Sequence, residues 1–449
     1  MNNSKKLKKI ELLAPAGDLE RLKTAIVFGA DAVYCGLPSW SLRNAREITF
    51  TLKTLKEGIK FAHERGAKLY ITFNVFAHEA QLKKAEEDLK KMKDLDIDGI
   101  IVSDLGMLAL VKKHLPKVSI HISTQANTVN SEAVQSWNKL GADRIVLARE
   151  LTLKEIAEIK KKNPKVELEV FGHGAMCIAY SGRCLLSKYF TNREANLGDC
   201  AQSCRWRYKL KVKSEKLNVE EPLRDKFYIE EETRPGELLG IEEDEKGTYI
   251  MNSKEICSID ILDKFIESGI DSLKIEGRAK TVYYLATIVR AYRKAIDAYY
   301  EKERKIRNLK IKKLDKKKIE KDFSVLISEL EKELSLVQNR GYSHGFLTGR
   351  HDYEQEYDIA AFKPAIAFLG VVCGSKKDLV EIEVKNKFKT GDKVELVTPN
   401  GILKTKILEI IDKKGAKAEE ALTPQERFLI KFDIRNKVPE RSILRKKLK

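Results

Sequence analysis

The chain has 449 residues, with 85 Lys and Arg against 67 Asp and Glu for a formal charge of +18. That length admits two domains, one as large as a barrel enzyme of about 250 residues, and the basic excess points to a polyanionic partner. No run of about 18 apolar residues occurs, which excludes a membrane-spanning helix, and the basic N-terminal segment lacks the apolar core of a secretion signal, so a cytoplasmic protein with reduced thiols is expected.

From Ile10 to about Tyr300 short apolar runs alternate with amphipathic stretches of helical length. The runs read as strands at 11–16, 32–36, 68–74, 99–103, 119–124, 144–148, 167–172 and 272–276. Eight strands separated by helices predict an α/β fold, a (β/α)8 TIM-like barrel with a parallel sheet. An open doubly wound sheet is the competing fold, but no G-x-G-x-x-G opens a helix after the first strand. Asp18, Thr51 or Thr54, and Thr152 with Glu155 three residues on are placed to cap helices. Gly29-Ala30-Asp31, Gly66-Ala67-Lys68 and Gly141-Ala142-Asp143 repeat one design, in which glycine stops a helix just before a strand begins.

The strand ends supply polar groups for the barrel mouth. His121, Ser123 and Gln125 alternate on the fifth strand, and Lys274, Glu276 and Arg278 on the eighth, so each set shares a face. An inward Lys-Glu-Arg row is costly unless its charges pair with one another or meet an anionic ligand; a structural salt-bridge network and a binding site are the two readings. Asn74 ends the third strand and Arg149 the sixth, while Arg43 and Asn44 follow the second.

The seventh strand runs into a long excursion, 175–255, at the end of the sheet where barrel enzymes build their sites. Residues 169–208 read EVFGHGAMCIAYSGRCLLSKYFTNREANLGDCAQSCRWRY and hold four of the seven cysteines, Cys177, Cys184, Cys200 and Cys204. Thiols gathered this way in a reducing compartment bind a metal or do redox chemistry. Zinc knuckles are C-x2-4-C pairs, whereas here the first spacing is C-x6-C and only C-x3-C is tight; a loop wrapping an iron-sulfur cluster tolerates such irregularity. A redox or nucleophilic cysteine and buried structural thiols are the alternatives. Cys35 and Cys373 stand apart and read as structural. His173, between two glycines, suits acid-base work, anion binding or an ordinary hydrogen bond. Arg205 and Trp206 combine a cation with an aromatic face, suited to a nucleobase and phosphate or to packing the loop on the barrel.

The expected organisation is thus a barrel domain over 1–301 including the excursion, a charged linker with an ordered tail over 302–360, and a small antiparallel β-barrel over 361–449, where short alternating strands flank a Pro399-Asn400-Gly401 turn.

Glu169-x-Phe171-x-x-Gly174-x-x-Cys177 followed by Gly182-x-Cys184-x-x-Ser187 resembles the signature of peptidase family U32, the collagenase-like proteases. LLAPAGD (12–18), GADAVYCGL (29–37), STQAN (123–127), LARE (147–150), MNSKEIC (251–257) and LKIEGR (273–278) carry the resemblance along most of the chain. GDCAQSCRWRY together with GTYIMNSK is most similar to the branch that hydroxylates a wobble uridine in tRNA. That resemblance implies oxygen-independent 5-hydroxylation, a 4Fe-4S cluster, and prephenate, a small dicarboxylate, as the hydroxyl source. It also implies a fourth cluster cysteine at Cys257, a rival to Cys204. Candidate catalytic groups are then His173, Glu169, Arg278 and Lys274, and candidate substrate contacts are His121, Gln125, Asn74, Arg149, Glu276, Arg205 and Trp206. Related members act alone and in pairs, so a homo-oligomer or a similar partner subunit is compatible. A peptidase is the second reading, although neither G-x-S-x-G nor H-E-x-x-H occurs. An RNA-binding module with a structural metal site is the third.

Overall fold

The computed structural model describes residues 8–41, 50–205, 227–230, 238–244, 247–249, 253–278, 280–308, 313–349, 366–434 and 437–448. β1 (Glu11–Pro15), α1 (Leu19–Val27), β2 (Ala32–Gly36), α2 (Leu52–His63), β3 (Lys68–Thr72), α3 (Glu79–Lys91) and β4 (Gly99–Val102) begin an alternation. It continues through α4 (Leu105–His114), β5 (Ser119–Ile122), α5 (Ser131–Lys139), β6 (Arg144–Val146), α6 (Leu153–Lys162) and β7 (Glu167–Ala175). The excursion then carries α7 (Leu186–Thr191) and β8 (Phe227–Glu230), β9 (Leu238–Asp244) and β10 (Gly247–Tyr249), which pair antiparallel. It returns on β11 (Glu255–Cys257) to α8 (Leu262–Glu267) and β12 (Ser272–Ile275). β12 pairs in parallel with both β7 and β1, so β1 to β7 and β12 close the eight-stranded ring that the apolar pattern predicts.

Local chemistry accounts for the punctuation. Asp18 accepts from the Arg21 N–H, and Thr51 with Thr54 and Thr152 with Glu155 form reciprocal boxes. Gly29, Gly66 and Gly141 take φ of +105°, +69° and +96°, where a side chain would strain the backbone. A further device lies at the foot of alternate strands: Asp31, Asp98, Asp143 and Asp271 accept from the N–H groups of Leu12, Leu69, Ile120 and Leu168 at 2.8 to 3.0 Å. Each carboxylate satisfies a strand-end donor on the preceding strand and so fixes neighbouring register.

One irregularity positions the site. The β7–β12 register shifts between Lys274 and Ile275, and Gly174 sits at φ +106° where a Cβ would come within 2.4 Å of the Glu276 carbonyl oxygen. The tip of β7 thereby pairs antiparallel with β11, Cys257 lying opposite His173, so the excursion is fastened to the rim at both ends.

α9 (Val282–Asn308) and α10 (Lys313–Leu334) follow, and β13 (Tyr342–Ser343) pairs with β11. The described part of the 302–360 stretch, 302–308 and 313–349, therefore departs from a charged linker. Its charge belongs to one face of a helix whose Ile327, Leu330 and Leu334 are buried at three- and four-residue spacing.

The C-terminal strands are β14 (Ile366–Lys376), β15 (Leu379–Val384), β16 (Phe388–Lys389), β17 (Lys393–Thr398), β18 (Gly401–Ile411), β19 (Lys417–Ala418), β20 (Glu420–Ala421), β21 (Arg427–Phe432) and β22 (Ile443–Lys447). The order β17-β22-β14-β15-β21-β18, with β18 pairing back to β17, closes a small antiparallel barrel. Buried Arg445 joins it to the helical layer, donating to Glu395 at 2.9 Å and to the Tyr283 hydroxyl of α9 at 3.2 Å. Among the described residues no helix is long and apolar enough to cross a membrane.

Candidate active site at the barrel mouth

A cavity of about 120 Å3 lies where the strands of the ring end. Cys177, Cys184, Cys200 and Cys204 line it from the excursion, and Asn74, Ser123, Gln125, Arg149, Lys274, Glu276 and Arg278 line it from the barrel, with Tyr34 and Phe171 as aromatic faces. The loops after β5 and β6 hold the excursion over the mouth. Arg183 Nε donates to the Gln125 carbonyl at 2.7 Å, Asn127 Nδ2 to the Tyr180 carbonyl at 3.2 Å, and the Arg149 N–H to Ser181 Oγ at 3.1 Å. Asn196 bonds both the N–H and the carbonyl of Cys184, and Ser187 Oγ accepts from the Ala201 N–H at 2.9 Å, tying the loops of Cys184 and Cys200 together.

Three cations and one carboxylate are among the described lining residues. Lys274 is paired with Glu169 beneath it at 2.7 Å, and Arg149 stands 3.6 Å from Glu276. Arg149 also lies over the Phe171 ring, 4.0 Å from its centroid. Arg278 donates to the hydroxyls of Ser41 and Thr72. Buried Gln125 Oε1 and Arg149 Nε have no hydrogen-bond partner among the described residues, so an acceptor and a donor remain directed at a polar ligand.

Residues 17–357 match the family described as Peptidase family U32, and residues 365–445 match the Peptidase family U32 C-terminal domain. The chain belongs to peptidase family U32. A tRNA hydroxylation protein P from Escherichia coli (strain K12) is 39% identical to this U32 chain over 430 residues, covering 91% of it and 90% of the relative. One of the same name from Haemophilus influenzae is 38% identical over 441 residues, covering 92% and 91%. The 23S rRNA 5-hydroxycytidine C2501 synthase of Escherichia coli (strain K12) is 34% identical over 299 residues, covering 65% of this chain and 40% of that protein.

Several residues singled out from the sequence lie elsewhere in this U32 fold. Cys257 is only 5% exposed and does not line the cavity. Its strand pairing turns it into the packing beside Tyr292, whose hydroxyl is 3.8 Å from Sγ, and burial pushes the thiol up to about 12. Cys177, Cys184 and Cys200 line the cavity together with Cys204, and Cys257 does not join them. Among the described residues no three His, Cys, Asp or Glu side chains stand at the spacing of a single bound ion. Four cysteines around one cavity are the donor chemistry that an iron-sulfur cluster takes.

Glu169 is fully buried beneath the cavity, between Lys274 and Arg144 at 3.1 Å. Burial works against its charge, yet the two cations hold the carboxyl below the usual range. It is a counter-ion within the barrel, not a group at its mouth. His121 lies a layer deeper than Ser123 and Gln125, edge-on to Tyr70, and burial with Arg144 and Lys274 nearby pushes it well below 6.5. His173 is packed among Tyr284, Tyr292 and Tyr342 away from the cavity, and burial, reinforced by Lys280, lowers it to about 3. The Arg205 side chain, Trp206, Arg43 and Asn44 lie outside the described residues. Tyr34 and Phe171, which sequence reading missed as lining residues, carry only the weak signal of aromatic residues on inward strand positions.

The two neutral histidines imply acid sensitivity. Each binds a proton in the unfolded chain below about pH 6.5 but not in the fold, so stability is complete above that pH. It falls by about 1.4 kcal/mol per unit per histidine as pH drops toward their folded values. Urea midpoints measured from pH 7.5 to 5 are expected to show this slope, and His173→Gln to shallow it.

Proposed function

We infer that this chain is a tRNA hydroxylase, and that it hydroxylates carbon 5 of a wobble uridine without molecular oxygen, holding a 4Fe-4S cluster on Cys177, Cys184, Cys200 and Cys204 and taking the hydroxyl group from prephenate. The observation that carries this reading is the meeting of those four cysteines with Arg149, Lys274 and Arg278 around one cavity. When bound, the cluster supplies redox-active, Lewis-acidic iron.

The chain's own groups account for the rest. Arg149, with a donor left over, and Arg278, oriented by two hydroxyls, match the carboxylates of a dianion. The Tyr34 ring is fixed by its hydroxyl bond to the Ile275 carbonyl at 2.9 Å and, with Phe171, offers a face to a flat ligand. The +18 charge favours RNA. No histidine is among the described residues lining the cavity, so a cysteine nucleophile there lacks the imidazole base a peptidase would use.

The deciding experiment is deletion of the gene and mass spectrometry of tRNA nucleosides from cells grown without oxygen. Loss of 5-hydroxyuridine and its derivatives, restored by the intact chain, is the expected result; their persistence would sink the assignment. Arg149→Gln is expected to raise KM for prephenate about tenfold to a hundredfold, the worth of a charged hydrogen bond, with iron content unchanged.

A further inference from the structure

Eleven large apolar side chains are exposed among the described residues, and four of them, Tyr180, Leu185, Tyr189 and Phe190, fall within the span 180–190. Every aromatic member of that exposed set is in this span. Tyr189 is 84% exposed and Leu185 76%, and the Tyr189 and Phe190 rings meet edge to face with centroids 5.3 Å apart. A ring as water-facing as that of Tyr189 is costly to leave uncovered and marks a binding surface.

The span that carries these side chains also lines the cavity. Ser181, Gly182 and Cys184 line the cavity, while Tyr180 and Leu185 on either side of them face outward. Two cations lie in the same span: exposed Arg183, whose Nε is bonded to the Gln125 carbonyl, and exposed Lys188, paired with half-buried Glu194 at 2.6 Å. Such an ion pair is worth little and exchanges its carboxylate for a phosphate readily. π-faces interleaved with cations suit unpaired bases better than a duplex, whose bases are already stacked.

We propose that the outer face of the cysteine-bearing excursion, centred on Tyr189, is a stacking platform for unpaired bases of the RNA loop that carries the target nucleotide. This rests on the RNA-hydroxylase reading above and extends it. Bases flanking the target stack on Tyr189 and Tyr180, with Phe190 bracing Tyr189 edge-on, and the span that also lines the cavity leads the target itself toward it.

The test uses the full-length chain prepared without oxygen and fluorescence anisotropy with two probes: an anticodon stem-loop, and a duplex of equal length. Tyr189→Ala is expected to weaken stem-loop binding about tenfold, the worth of one stacked base, while duplex binding holds. The ring-bearing Tyr189→Trp is expected to recover affinity, and thermal unfolding to be unchanged because the side chain is exposed. In turnover, KM for RNA rises and kcat at saturating RNA persists. Stem-loop affinity within about twofold of the unaltered chain overturns the platform. So does an equal loss on the duplex, or a self-association in sedimentation that Tyr189→Ala abolishes. If the unaltered chain binds neither probe, the RNA reading itself falls; if it binds the loop and only the variants fail to differ, the platform alone falls.

Discussion

Replacement of Cys204 by Ser is expected to strip iron and acid-labile sulfide from the anaerobically purified chain and to abolish hydroxylation, whereas Cys257→Ser leaves both in place. The expectation follows from where the chain puts the two thiols. Cys204 lines the cavity with Cys177, Cys184 and Cys200, and Cys257 is sealed beneath β11 against Tyr292. A cluster ligand must be a thiolate, and burial that raises a thiol to about 12 opposes that form. The readout is iron and sulfide content with the magnetic spectrum, which does not depend on finding the RNA substrate. Iron lost from Cys257→Ser and retained in Cys204→Ser would reverse the assignment.

Glu169→Ala is expected to destabilise the fold by about 3 to 5 kcal/mol, because it leaves buried Lys274 and Arg144 without their shared counter-ion. Arg144 keeps Glu11 and Glu167, at 2.5 and 2.7 Å, so the uncompensated charge falls mainly on Lys274. Lys274→Met is correspondingly milder, since Glu169 retains Arg144. The double variant Glu169→Gln with Lys274→Met is expected to recover much of the loss, giving a coupling energy well above additivity. Urea unfolding monitored by far-ultraviolet circular dichroism measures all three. A Glu169→Ala cost under about 1 kcal/mol would show that water reaches the pair. Because the Glu169 carboxyl is held below the usual range, its contribution persists through mildly acidic pH and disappears only as pH falls through that lowered value.

The interior ion network answers a question the alternation of Lys274, Glu276 and Arg278 left open. The salt-bridge network is present, and the same row lines the cavity. Lys274 is neutralised from below by Glu169 and lines the cavity together with Glu276 and Arg278.

Much of the fold was legible in the sequence because it is locally encoded. Apolar runs of strand length, the Thr152–Glu155 box and the glycines at 29, 66 and 141 act through neighbours a few residues away, so reading them needs no knowledge of the rest. Helix α10 was hidden because lysines and glutamates dominate its composition, and its buried Ile327, Leu330 and Leu334 acquire meaning only against α9 and the barrel.

The site divides the same way. Density of cysteine at 177–204 marks a candidate site without any structure. Which thiols line the cavity depends on the path of the chain. The slipped β7–β12 register lets β11 dock on the rim with Cys257 turned inward, and a strand's direction of facing reverses with a shift of one residue. His173 and Glu169 sit in the same signature as Cys177, yet pleating and packing send them to layers that the cavity does not reach.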